Sequence, residues 1–182
     1  MESNLSINNG INRRAQFTVA VSLYVVLHLS IEFFTGGVRV HYPLMRDDLP
    51  ALSNWWGLIV LPFLAWVFYA GMKNDTEQPA WVGLSTSTLV RLAMAFAYGW
   101  LIGGTFTLGF EALPGYLFFA LIGIGIGYPL YRPEVMLGLI LGMTFTFGAV
   151  IPTVVIGIVA LSSLLLNSIV LFLIRKLRSQ SA

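Results

Sequence analysis

The sequence predicts an all-α integral membrane protein, a polytopic bundle of about six transmembrane helices with both termini in the cytoplasm. Hydrophobic residues make up 57% of the 182 residues and charged residues only 10%, whereas soluble domains carry about 25% charged residues. Mean hydropathy is +0.82. The apolar residues form continuous runs rather than the ~10-residue alternating segments of barrel strands. Helices are therefore the predicted spanning elements.

Six apolar runs each approach the ~17–25 residues that cross the hydrocarbon core. The predicted spans cover residues 16–34, 55–71, 84–104, 113–130, 134–149 and 153–174. They form one transmembrane domain over residues 16–178, which follows a flexible polar tail at residues 1–15. Residues 35–54 form a structured outer loop.

The join between the last two spans has two interpretations. Gly148 and Pro152 indicate either a tight turn between antiparallel helices or a proline kink in one long helix. One helix of ~40 residues would be longer than a bilayer needs, which favours the turn.

Basic residues set the predicted orientation. Arg13 and Arg14 precede the first span, and Arg175, Lys176 and Arg178 follow the last. Six spans place both ends on one side, and the positive-inside rule places that side in the cytoplasm. We therefore expect a multi-pass protein of a bacterial inner (plasma) membrane, embedded in the lipid bilayer. With a net charge of +2 and basic residues mostly near the chain ends, the chain carries no nucleic-acid footprint.

Tyr24, His28 and Glu32 form a polar stripe on the first predicted helix, because they are spaced i, i+4 and i+8. Ionisable groups inside a span are costly and usually face a cavity or a partner. An imidazole and a carboxylate one turn apart can share a proton, bind a divalent cation or hold a cationic ligand. The structural alternative is that His28 bonds a neighbouring backbone group and Glu32 reaches the outer interface.

The outer loop adds His41, Asp47 and Asn54 to the candidate ligand-binding residues. Helix capping is the favoured explanation for Asp48, Ser53 and Asn54, whereas His41 has no such local role. A second outer acid, Glu111, lies in the loop after the third span.

Two histidines and two carboxylates are a donor set for a hard or borderline divalent metal. The set consists of His28, Glu32, His41 and Asp47. Their spacing matches no metal motif such as H-E-x-x-H, so the sequence identifies no cofactor. The chain has no cysteine, which excludes disulfides, thiolate metal sites and cysteine nucleophiles.

Glycines four residues apart share a helix face and let two backbones approach closely. The favoured interpretation is packing within the bundle, and the same faces are candidates for contact with a second copy or a partner subunit. The pairs are Gly99/Gly103, Gly123/Gly127 and Gly138/Gly142.

Arg91 lies about two turns into the third span. Its long stem favours snorkelling to the inner interface, and the alternative is an internal ion pair with an acid such as Glu134.

Three functions fit these features. The leading hypothesis is a small permease, or a substrate-binding membrane subunit, with an outward-facing His/Glu/Asp site for a small, cationic ligand or a proton. The second is a membrane-embedded enzyme acting on a lipid or isoprenoid substrate, with Glu32 or Asp47 as an acid/base group and a metal held by the histidines. The third is a structural or assembly subunit of a membrane complex.

Overall fold

The protein is predominantly helical, as its composition predicts. The computed structural model describes residues 2–42, 46, 48, 50–72 and 83–180, and it is about 80% helical. In chain order, the elements of this described part are α1 (Glu2–Thr35), β1 (Val40–His41), β2 (Leu52–Ser53), a 3-10 helix (Asn54–Trp56), α2 (Gly57–Tyr69), α3 (Thr86–Thr107), α4 (Leu113–Gly127), α5 (Pro133–Phe147) and α6 (Val150–Gln180).

Three helical stretches in the described residues are long and apolar enough to cross a membrane. They are Asn12–Thr35, Thr86–Thr107 and Val150–Phe172. Three further apolar helices are shorter, at Asn54–Tyr69, Leu113–Gly127 and Pro133–Phe147. These helices support a membrane protein by length and composition, and the count of six spans remains a prediction.

The first helix extends further toward the N-terminus than the apolar run alone indicates. It begins at Glu2, whereas the sequence predicted a polar tail before a span starting at about Gln16. No proline occurs between residues 2 and 35, so nothing removes a backbone donor where the apolar segment meets the polar one.

The closest helix contact lies between α3 and α5, and it depends on glycine. A Cβ atom on Gly99 would lie 2.5 Å from the carbonyl oxygen of Leu139, and a Cβ on Gly138 would lie 2.5 Å from that of Leu92. Only a residue without a side chain permits such backbone approach. Packing within the bundle, the favoured interpretation of the glycine pairs, is confirmed for Gly99/Gly103 and Gly138/Gly142 but not for Gly123/Gly127.

The end of the bundle that holds the C-terminal end of α1 is closed by a short strand pair and a turn. β1 and β2 are antiparallel, with Val40 opposite Ser53 and His41 opposite Leu52. At the same end, α5 stops at Gly148, whose φ of +70° favours glycine, and α6 begins at Val150. The predicted turn between the last two helices is therefore confirmed.

Candidate functional site

The polar stripe of α1 lies on the face that packs toward α5. The Tyr24 hydroxyl donates a hydrogen bond of 2.9 Å to the carbonyl oxygen of Leu141. The His28 ring lies 5.5 Å from the Phe145 ring, between ring centroids, and nearly parallel to the Tyr24 ring at 6.5 Å. His28 and Glu32 are each only 6% exposed. The ionisable pair therefore lies inside the protein and not on a solvated rim.

Asn54, at the start of the 3-10 helix, holds the Glu32 carboxylate by hydrogen bonds. The Asn54 amide nitrogen donates to both carboxylate oxygens, at 2.8 and 3.0 Å, and the backbone N–H of Arg39 donates to one of them at 3.4 Å. Asn54 is only 4% exposed. Its side chain is therefore part of the polar site, and the expectation that it caps the second span is wrong.

The capping expectations for the two neighbouring residues have different outcomes. Ser53 accepts a hydrogen bond from the backbone N–H of Trp55, so it caps the 3-10 helix as expected. Asp48 instead pairs with Arg46 across the exposed loop, and the guanidinium lowers the pKa of that carboxyl below its ordinary value.

His41 joins the site through the turn between α5 and α6. A Cβ atom on Gly148 would collide with the Asn54 side-chain oxygen and would lie 3.2 Å from Cδ2 of His41. Both side chains therefore lie against the bare backbone of Gly148. His41 lies in β1, and Asn54 begins the 3-10 helix directly after β2. Because β1 pairs with β2, His41 and Asn54 lie close together although they come from different ends of the loop.

Burial favours the neutral form of the His41 imidazole. Its pKa is lowered from the ordinary 6.5, chiefly because burial penalises the charged form, and the nearby Arg39 guanidinium lowers it further. The Glu32 carboxylate and the Asn54 side chain oppose the shift without reversing it.

Three buried polar atoms of this site make no hydrogen bond of good geometry among the described residues, although the Asn54 side chain is close enough to His41 to favour its protonated form. They are Nε2 of His28, Nε2 of His41 and Oδ1 of Asn54. The His28 Nε2 atom lies 3.6 Å from Oε1 of Glu32, which is too long for a good hydrogen bond. Buried polar groups are normally satisfied, so the site has unused bonding capacity around one carboxylate.

No family model, curated protein or solved structure matches this chain. The interpretation of the site therefore depends on its own geometry.

The structure describes three of the four predicted metal ligands, His28, Glu32 and His41. Within the described residues, no three histidine, aspartate or glutamate side chains are grouped closely enough to hold a metal ion. Asp47, the fourth predicted ligand, lies outside the described residues. A metal at this site remains a prediction.

A second polar centre lies near the start of α3, where Arg91 pairs with Glu134 of α5. Nε of Arg91 donates to Oε1 of Glu134 at 2.8 Å, and the Glu134 side chain is almost fully buried. The favoured interpretation of Arg91 as a snorkelling side chain is therefore wrong, and the internal ion pair is correct. The reason is that α5 begins beside α3, which places Glu134 within reach of Arg91.

Sequence reasoning missed the contributions of Arg39 and Gly148. Arg39 supplies a backbone donor to Glu32 and places Nε 4.0 Å from that carboxylate. Gly148 makes room for Asn54 and His41. Neither role has a sequence signal, because each depends on how the loop and the turn fold against each other.

Proposed function

We propose that this chain is a small multi-pass permease, or a substrate-binding subunit, of a bacterial inner membrane, which binds a small cation or a proton at His28 and Glu32. The proposal includes six spans and cytoplasmic termini. One observation carries it: a carboxylate and an imidazole lie together on a spanning helix, each 94% buried. Ionisable residues inside the membrane usually mark ion or substrate pathways.

The position of the pair supports binding from the outer side. Glu32 lies near the C-terminal end of α1, and the residues that cover it belong to the loop at that end. In this arrangement Asn54 and the strand pair close the site, so a ligand from outside requires the loop to move. Occlusion by a loop is a common way to isolate a bound substrate.

Charge movement in proteoliposomes tests the proposal. After a step in external pH, we expect the native protein to give a transient current, and we expect Glu32→Gln and His28→Ala to reduce it by about tenfold or more, because either change removes a partner of the proton or cation. Glu111→Gln, an exposed outer acid, is the matched control and should keep the native current. Equal currents from the native protein and the Glu32 and His28 variants would contradict the proposal.

One observation also favours an enzyme acting on a lipid or isoprenoid substrate. An apolar groove of about 370 Å³ lies between α1 and α2, on the face of α1 away from Tyr24, His28 and Glu32. It is lined by Val26, Leu29, Ser30, Phe33, Phe34, Trp55 and Leu58. Such an apolar groove suits a hydrocarbon tail. Lipid turnover that is lost in His41→Ala would favour this function over transport.

A further inference from the structure

The buried carboxylate of Glu32 has no close, buried positive partner among the described residues. The Arg39 guanidinium is 4.0 Å away, and its side chain is 53% exposed, so water screens it. The His28 imidazole is 3.6 Å away and lacks a hydrogen bond to the acid. A buried charge is costly unless it is paired and hydrogen-bonded, so the site is suited to a cation that enters from outside.

The unsatisfied atoms define which hydrogen-bonding groups that cation carries. Because the Asn54 amide nitrogen faces Glu32, the amide oxygen points the other way, and an amide oxygen only accepts hydrogen bonds. A neutral imidazole offers one acceptor nitrogen, and both His28 and His41 have an Nε2 atom without a described partner. The site therefore offers the Glu32 carboxylate and the Asn54 amide oxygen as acceptors, and each imidazole adds an acceptor at Nε2 in the tautomer whose proton is on Nδ1.

Aromatic rings and buried polar atoms surround the site. The His28 ring is flanked by Tyr24 and Phe145, and the unsatisfied atoms of His28, His41 and Asn54 are shielded from solvent. A bare metal ion would bring charge without donors.

We propose that His28, Glu32, His41 and Asn54 form a site for a small cation bearing N–H groups, either ammonium or the head group of a primary amine. The inference rests on the proposed function and names the class of ligand. Glu32 supplies the counter-charge, and the Asn54 oxygen and the unprotonated nitrogen of each imidazole accept the N–H groups. His41 and Asn54 thereby select for hydrogen bonding as well as for charge.

Histidine NMR on the full-length protein in nanodiscs tests this site, because the chain has only two histidines. Methylammonium chloride and tetramethylammonium chloride are added to separate samples at constant pH and ionic strength. The two cations carry the same charge, but only methylammonium has N–H groups. We expect methylammonium to shift the signals of both histidines with a saturating dependence on concentration, and tetramethylammonium to leave them unchanged.

Variants locate the effect. Glu32→Gln removes the counter-charge and should weaken methylammonium binding by about tenfold or more. Asn54→Ala removes one acceptor and should reduce the difference in affinity between methylammonium and tetramethylammonium. Glu111→Gln should bind methylammonium like the native protein. The comparison of the two cations on the native protein needs no variant, so it holds even if a site variant does not fold.

Three results would overturn the inference: no saturating shift with methylammonium, equal shifts with both cations, or unchanged binding in Glu32→Gln. A current on a pH step together with any of these results would leave the proposed function standing with the proton as its ligand. If methylammonium shifts the histidine signals in a saturating way but a pH step gives no transient current, the protein is instead a binding subunit that moves no charge.

Discussion

At the scale of single residues, the site depends on contacts that link distant parts of the chain. The sequence predicted the stripe of Tyr24, His28 and Glu32 because helical spacing places them on one face. It could not predict that Asn54 bonds Glu32 across 22 positions, since local preference makes Asn54 a helix cap. The sequence predicted a site role for His41 because it has no local role, but its contact with Gly148 depends on the folded loop.

His41 gives a pH prediction at this scale. Its pKa in the folded protein lies below the ordinary 6.5, so the unfolded chain takes up this proton first as the pH falls. The stability due to neutral His41 is therefore present above about pH 6.5 and is lost as the pH falls toward the lowered value. We expect the thermal midpoint of the native protein to fall between pH 7.5 and pH 5.

His41→Gln isolates that effect, because His28 is present in both proteins and titrates in both. The variant should lose less of its thermal midpoint over the same pH range. Parallel curves for the native protein and the variant would show that His41 does not contribute to the acid sensitivity.

At the scale of elements, apolar runs predicted the helices well, because each run must bury its backbone polar groups in its own hydrogen bonds. The two-residue strands were missed, since strands this short carry no alternating pattern. The predicted glycine faces divide into two groups. Gly99, Gly103, Gly138 and Gly142 lie against neighbouring atoms of α3 or α5, whereas a Cβ atom on Gly123 or Gly127 would meet nothing within 4 Å.

This division predicts opposite effects of the same substitution. Gly142→Leu would drive a side chain into the backbone of Phe96 and Trp100, so we expect it to destabilise the protein by about 3 kcal/mol or more, or to prevent folding. Gly123→Leu adds a side chain in open space and should be neutral or slightly stabilising, since glycine is a poor helix former. Unfolding of the native protein and both variants in mixed micelles measures the change in the free energy of unfolding that each substitution causes.

Assembly can be separated from folding with the same pair. If Gly123→Leu folds normally but changes the oligomeric mass, the open face of α4 is a contact for a second copy or a partner. Normal stability of Gly142→Leu would contradict the packing argument for α3 and α5.

At the scale of the whole molecule, the number of spans depends on the short helices. α4 and α5 have 15 residues each, which is about 22 Å at 1.5 Å per residue, less than the ~30 Å hydrocarbon core. The end of α2 and the starts of α3 and α5 nevertheless lie together: the Arg91–Glu134 pair ties the start of α5 to the early turns of α3, and a Cβ on Gly71, just after α2, would contact Pro133. We therefore expect the α4–α5 connection to reach the cytoplasmic side, with the bilayer thinning around the short helices.

Single cysteines test this topology without background, because the native chain has none. Leu108→Cys, at the exposed α3–α4 connection, should react with a membrane-impermeant maleimide in intact cells. Asn12→Cys and Tyr131→Cys, both at exposed positions, should react only after the membrane is permeabilised. If Tyr131→Cys stays unlabelled while Asn12→Cys reacts, α4 and α5 form a re-entrant hairpin and the protein has four spans. Labelling of Asn12→Cys in intact cells would reverse the orientation, and Glu32 would then face the cytoplasm, so the cation in the proposed function would bind from inside.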